Sequence, residues 1–123
     1  MTALSLSDEL MNVAPIHFSG VEEESEQQEI IEALMEVEDP EIGMDIINLG
    51  LVYEIHVDEE KRVRILMTLT AIGCPLAGTI SEDVKKALMK LGRYSDVFVE
   101  LVWNPPWDKE RMSNMAKMML GIR

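Results

Sequence analysis

Leu51-Val52-Tyr53-Glu54-Ile55-His56-Val57, then Asp58-Glu59-Glu60-Lys61, then Arg62-Val63-Arg64-Ile65-Leu66-Met67-Thr68-Leu69-Thr70 form the middle of a 123-residue chain. In the first run Leu51, Tyr53, Ile55 and Val57 alternate with Val52, Glu54 and His56. In the second, Val63, Ile65, Met67 and Leu69 alternate with Arg62, Arg64, Thr68 and Thr70. A period of two, with apolar residues on one side, is the pattern of a half-buried strand. The four polar residues between the runs are short enough for a hairpin, so the centre of the chain predicts two antiparallel strands.

Upstream of the hairpin, Ile30, Ile31, Leu34 and Val37 recur at helical spacing. Ser25 and Gln28 have the spacing of a capping box, and Asp39-Pro40 marks the end, because the residue before a proline is driven out of the α region. This predicts a helix over about 26–38. Downstream, Cys74-Pro75 opens a second helix, with proline at the first helical position. Its stripe is Ile80, Val84, Leu88 and Leu91, its late turns carry Lys85, Lys86 and Lys90, and Gly92 is placed to close it. A third strand, about 96–103, puts Val97, Val99, Leu101 and Trp103 on one face and Phe98 and Val102 on the other, the pattern of a strand covered on both sides. After Asn104-Pro105-Pro106, a last helix over about 108–120 carries Met112, Met115 and Met119 on one side.

The order α-β-β-α-β-α predicts an α+β fold: a two-layer sandwich with a small three-stranded mixed sheet and helices mainly on one face. Neighbouring second and third strands would be joined by a parallel, right-handed crossover. The expected organisation is a flexible acidic N-terminal tail, 1–24, and a single domain, 25–123. The tail's scattered apolar residues and its Glu22-Glu23-Glu24 run leave a second reading open, an arm that packs on a partner or on a second copy of the chain.

The formal net charge of −12 argues against nucleic acid and anionic membrane surfaces as partners and favours basic surfaces. One cysteine makes no internal disulfide. The N-terminus has no secretory pattern and no apolar run approaches the length of a bilayer span, so a cytoplasmic location is expected.

Three features carry chemistry. Cys74 at a predicted helix start would feel free amides and the positive end of the dipole, which favour the thiolate that binds iron or attacks an electrophile; an inert, half-buried thiol is the alternative. Asp39, Glu41 and Asp45 cluster before Asn48 and supply hard oxygen donors, or else they are local turn-formers. The methionines of the last helix suit adaptable docking or ordinary core packing. His17 and His56 have no spacing that pairs them with the cysteine as a nucleophile's base or a zinc site. Trp103 and Trp107 flank the double proline and would clamp that turn.

These candidates coincide with a family pattern. Asp39-Pro40-Glu41-Ile42-Gly43-Met44-Asp45-Ile46-Ile47-Asn48-Leu49-Gly50-Leu51-Val52-Tyr53 resembles the signature of the SufT and PaaD-like family of iron–sulfur cluster assembly factors. Thr68-Leu69-Thr70-Ala71-Ile72-Gly73-Cys74-Pro75 resembles its second motif and Trp103-Asn104-Pro105-Pro106-Trp107-Asp108 its third. The similarity spans roughly 25–123. It implies an α+β fold and an accessory role in cluster assembly or transfer, not a conventional enzyme. It implies Cys74 as a transient iron or cluster ligand, with Asp39, Glu41, Asn48, Thr70 and Pro75 shaping the site or adding a ligand. Met112, Met115 and Met119 are expected to meet partners. Clusters usually take four protein ligands, mostly thiolates, so a monomer with one cysteine is expected to hold none stably; a client or carrier protein, a second copy or a small thiol would complete the set. The competing readings are a non-metal adaptor that recruits clients and a thiol-dependent enzyme.

Overall fold

The computed structural model describes residues 14–40, 42–70 and 77–121. Its centre is the hairpin expected from the alternation: β4, Val52–Val57, antiparallel to β5, Arg62–Met67. The turn is held by Asp58, whose carboxylate accepts from the backbone amides of Glu60 and Arg62 and from Arg62 Nε at 2.8 Å. Those hydrogen bonds hold the Asp58 carboxyl below its usual range, the amide of Arg62 being the largest cause. From β5 the chain passes through α2, Ala77–Met89, into β6, Asp96–Leu101, which lies parallel to β5 from Arg62↔Asp96 to Met67↔Leu101.

Among the described residues the sheet has four strands, not the expected three, in the order β1-β4-β5-β6. The added strand, β1, is His17–Ser19, parallel to β4. It lies within the segment expected to be a tail. Regular structure among the described residues therefore starts before Ser25, and Val21, just beyond β1, is buried in the core. Residues 1–13 lie outside the described residues. A separate two-stranded ribbon pairs β2, Glu38–Asp39, with β3, Met44–Asp45.

The first helix, α1, runs Glu24–Leu34. Ser25 and Gln28 make no capping box: Glu23 is the N-cap and makes no side-chain cap, while Gln28 reaches forward to Glu32 at 3.4 Å. The helix stops six residues before Pro40, because Val37 turns its carbonyl to the amide of Ile46 at 2.9 Å and begins the ribbon. Ile30, Ala33 and Leu34 of α1 and Ile80, Val84, Ala87 and Leu88 of α2 are buried with Ile55, Val57, Val63, Ile65 and Val97 of the sheet in one core. The other face is open. Phe98, expected under cover, is 53% exposed among Arg64, Glu100 and His56, and Arg64 is ion-paired to Glu100 at 2.9 Å. Among the described residues no helix is long and apolar enough to cross a membrane.

One tie between the β5–β6 crossover and α1 is Tyr94, buried, which donates to Glu26 Oε2 at 2.8 Å. Burial, then that hydrogen bond, raises its phenol well above the ordinary 10.0. Because the folded value lies above the unfolded one, this stabilisation is complete below about pH 10 and is lost as pH rises through the folded value. Tyr94→Phe is expected to cost about 1 kcal/mol in urea unfolding near neutral pH and to flatten the decline in stability above about pH 10.

Candidate functional site

β5 and β6 are parallel and β4 runs against them, so β5 and β6 end where β4 begins. That end of the sheet gathers the segments carrying the three motifs. The first is the ribbon and the turns leading into β4. Asp39 is buried; its Oδ1 accepts from the amide of Ile42 at 3.3 Å and its carbonyl from Gly43 at 2.7 Å, which folds the turn after Pro40. Asp45 accepts twice from Asn48, from the backbone amide at 2.9 Å and from Nδ2 at 2.8 Å. The fully buried Asn48 then accepts at Oδ1 from the hydroxyl of Ser113 at 2.6 Å. Ser113 in turn is the N-cap of α3, Asn114–Leu120, accepting from the amide of Ala116. One polar relay thus runs from the ribbon to the last helix with its buried groups satisfied, as burial requires.

The backbone repeats that linkage. The carbonyls of Asn48, Leu49 and Gly50 accept in turn from the amide of Ser113 at 2.8 Å, the indole Nε1 of Trp107 at 2.7 Å and Nε of Arg111 at 2.7 Å. The first motif is therefore the strip on which the segment 107–113 is mounted. Gly50 permits it: its φ is +74°, and a Cβ there would overlap the carbonyl oxygen of Arg111 and stand 2.7 Å from its Cβ. The region expected as one helix is accordingly broken into a 3-10 turn, Lys109–Arg111, capped by Asp108, and α3 after an extended Met112.

The break redistributes the methionines. Met112 is buried in the core, against the expectation that it meets partners, because it lies in the extended link before α3. Met115 is half-buried, and Met119 is exposed beside Met118 and Leu120.

The described start of the second motif meets the third at a small cavity of about 170 Å³ lined by Leu69, Thr70, Trp103, Pro106 and Trp107. The two tryptophans do flank the proline turn, but Trp107 also binds the first motif through its indole. Thr70 is half-buried at the mouth of the segment 71–76; Thr68, two residues earlier, is buried with a hydroxyl that has no partner among the described residues. Cys74 and Pro75 lie outside the described residues, as does Glu41.

Tyr53 departs from the alternation. A register shift between Val52 and Glu54 sets one extra residue into β4, so Tyr53 leaves the core face, as a bulge re-aims a side chain. Its hydroxyl donates to the carbonyl of Pro105 at 2.8 Å and its ring lies 4.3 Å beneath the guanidinium of Arg111. Burial raises its phenol, with Arg111 acting in the opposite sense. The two histidines stand together on the open face, ring centroids 5.9 Å apart, with His56 Nε2 2.7 Å from Glu54. Among the described residues no group of three His, Cys, Asp or Glu side chains is arranged to hold a metal ion.

Arg111, Ser113 and the Trp107 indole are the participants that sequence reasoning missed. The signal for Ser113 was its place as a helix N-cap; Arg111 gave none.

Residues 27–101 match the iron–sulfur cluster assembly protein family. The chain is 52% identical over 101 residues to the Fe–S protein maturation auxiliary factor YitW of Bacillus subtilis, covering 82% of this chain and 99% of that one. It is 48% identical over 84 residues to the Fe–S protein maturation auxiliary factor SufT of Staphylococcus aureus, covering 68% and 96%. Its fold is similar to the crystal structure of a domain of unknown function from Bacillus anthracis, with a TM-score of 0.75, 51% identity and coverage of 81% of this chain and 95% of that one. The chain, with the described residues of its three motifs drawn to one end of the sheet, belongs to the iron–sulfur cluster assembly protein family.

Proposed function

We propose that the protein is an accessory factor in iron–sulfur cluster assembly or transfer, in which Cys74 lends one bond to iron or to a cluster in passage. The observation that carries this reading is the convergence of the three motif segments around Trp107, at the sheet end from which the segment 71–76 departs. Family membership and relatives named as maturation auxiliary factors support it.

The cluster is cargo. A cluster takes about four ligands, mostly thiolates, and this chain has one cysteine. Cys74 would complete a set supplied mainly by a client or carrier protein, then release it, with no covalent catalysis of its own. Asp39, Asn48 and Thr70 would shape the site, Glu41 and Pro75 would add to it chemically, and a net charge of −12 favours clients with basic surfaces. A second reading, an adaptor that touches clients and no metal, is favoured by the exposed Met118, Met119 and Leu120 on α3.

Anaerobic reconstitution with ferrous iron and sulfide separates them. The full chain is expected to take up labile, substoichiometric iron–sulfur chromophore that passes to an apo-ferredoxin, and Cys74→Ser is expected to take up none. A stable stoichiometric cluster on monomeric Cys74→Ser would rule out the ligand role.

A further inference from the structure

A larger cavity, of about 550 Å³, is lined in part by Ile16, Tyr53, Leu66, Val102, Pro105 and Arg111. That volume is in the range of about 300–1,000 Å³ typical of small-molecule sites. Its walls are mostly apolar, and its cation is unusual in this chain. Of the four arginines among the described residues, Arg62, Arg64 and Arg93 are each paired with a carboxylate. Arg111 has none among the described residues, although the chain carries 23 acidic side chains. Its Nε is spent on the carbonyl of Gly50, one face is stacked on Tyr53, and its Nη2 is buried with no partner among the described residues.

A guanidinium with five donors, half-buried, with one donor on a carbonyl and one nitrogen shut from solvent without a partner, is under-satisfied. The backbone anchor and the aromatic ring hold it in one orientation, so little freedom is lost when an anion arrives. Glu54 also lines the cavity, with its carboxylate drawn to His56 at 2.7 Å.

We propose that this cavity is a binding site for a small amphipathic carboxylate, whose anionic head engages Arg111 while its apolar body lies against Ile16, Leu66 and Val102. The site is separate from the Cys74 reading and stands or falls without it. A guanidinium makes a charge-assisted contact with a carboxylate, and the apolar walls suit a short hydrocarbon or branched side chain.

The experiment is an amide chemical-shift titration of the full chain with three probes of equal length: hexanoate, hexanamide and hexylamine. Hexanoate is expected to give saturable shifts at Tyr53, Val102 and Arg111 and to bind about tenfold more tightly than hexanamide, the gain of one charge-assisted contact. Arg111→Gln is expected to erase that preference. Leu66→Trp, which fills the cavity and leaves Arg111 in place, is expected to abolish the shifts and serves if Arg111→Gln does not fold. No saturable shift, equal binding of the amide, tighter binding of the amine, or undiminished hexanoate binding by Leu66→Trp would each overturn the proposal.

Discussion

Gly50→Ala is expected to destabilise the protein by at least about 3 kcal/mol, the most damaging single-methyl change available at the site. Two causes add. An L-residue at φ +74° is strained, and the new Cβ would overlap the carbonyl of Arg111. Neither conflict is relieved by rotating a side chain, because the obstacle is backbone. The 3-10 turn would have to lift off the strip, breaking the Arg111–Gly50 and Trp107–Leu49 hydrogen bonds together. Urea unfolding checks the loss, and Trp107 fluorescence checks its cause: emission should shift to the red before the global transition. Gly43, also at positive φ but with open space around the position of a Cβ, is the control, expected to lose only about 1 kcal/mol on substitution by Ala.

Asn48→Ala is expected to cost about 2–4 kcal/mol. The side chain is fully buried and joins the Asp45 carboxylate to the Ser113 hydroxyl. Its removal strips a donor from a carboxylate and an acceptor from a hydroxyl in one step. Ser113→Ala should cost less, about 1–2 kcal/mol, because Asp45 keeps its partner and only the cap of α3 and one hydrogen bond are lost. A double-mutant cycle between the two is expected to show a coupling of at least about 0.5 kcal/mol; strict additivity would mean that the ribbon and the last helix are independent.

The hairpin was legible because its alternation is long and one-sided, and α2 because Ile80, Val84 and Leu88 hold a helical period that the core uses. β1 was not legible. Three residues, His17–Ser19, have too little length for a period, and what makes them a strand is parallel pairing to β4, a tertiary fact. The bulge at Tyr53 escaped for a similar reason: the residues alternate, but the ladder skips one. The last helix was read as continuous because its methionines kept spacing through Met112, whereas hydrogen bonds to Asn48, Leu49 and Gly50, some sixty residues earlier in the chain, dictate the break. The motif residues themselves were identified in the sequence, Asp39, Asn48 and Thr70 among them. That Asn48 joins two elements inside the core was beyond a reading of local spacing.

Arg111 shows the same limit at its sharpest. In the sequence it is one charge in Asp108-Lys109-Glu110-Arg111, with no local pattern that singles it out. In the fold its neighbours are a glycine carbonyl and a tyrosine ring from β4.

Whether Cys74 carries iron or a cluster is decided by restoration of cluster-dependent enzyme activity in iron-limited cells that lack this protein, by wild type and by Cys74→Ala produced at equal levels. Wild type is expected to restore activity, and Cys74→Ala to leave it at the level of the empty vector while showing the wild-type unfolding midpoint when purified. Full restoration by a folded Cys74→Ala would contradict the claim that this thiol carries iron or a cluster toward its destination.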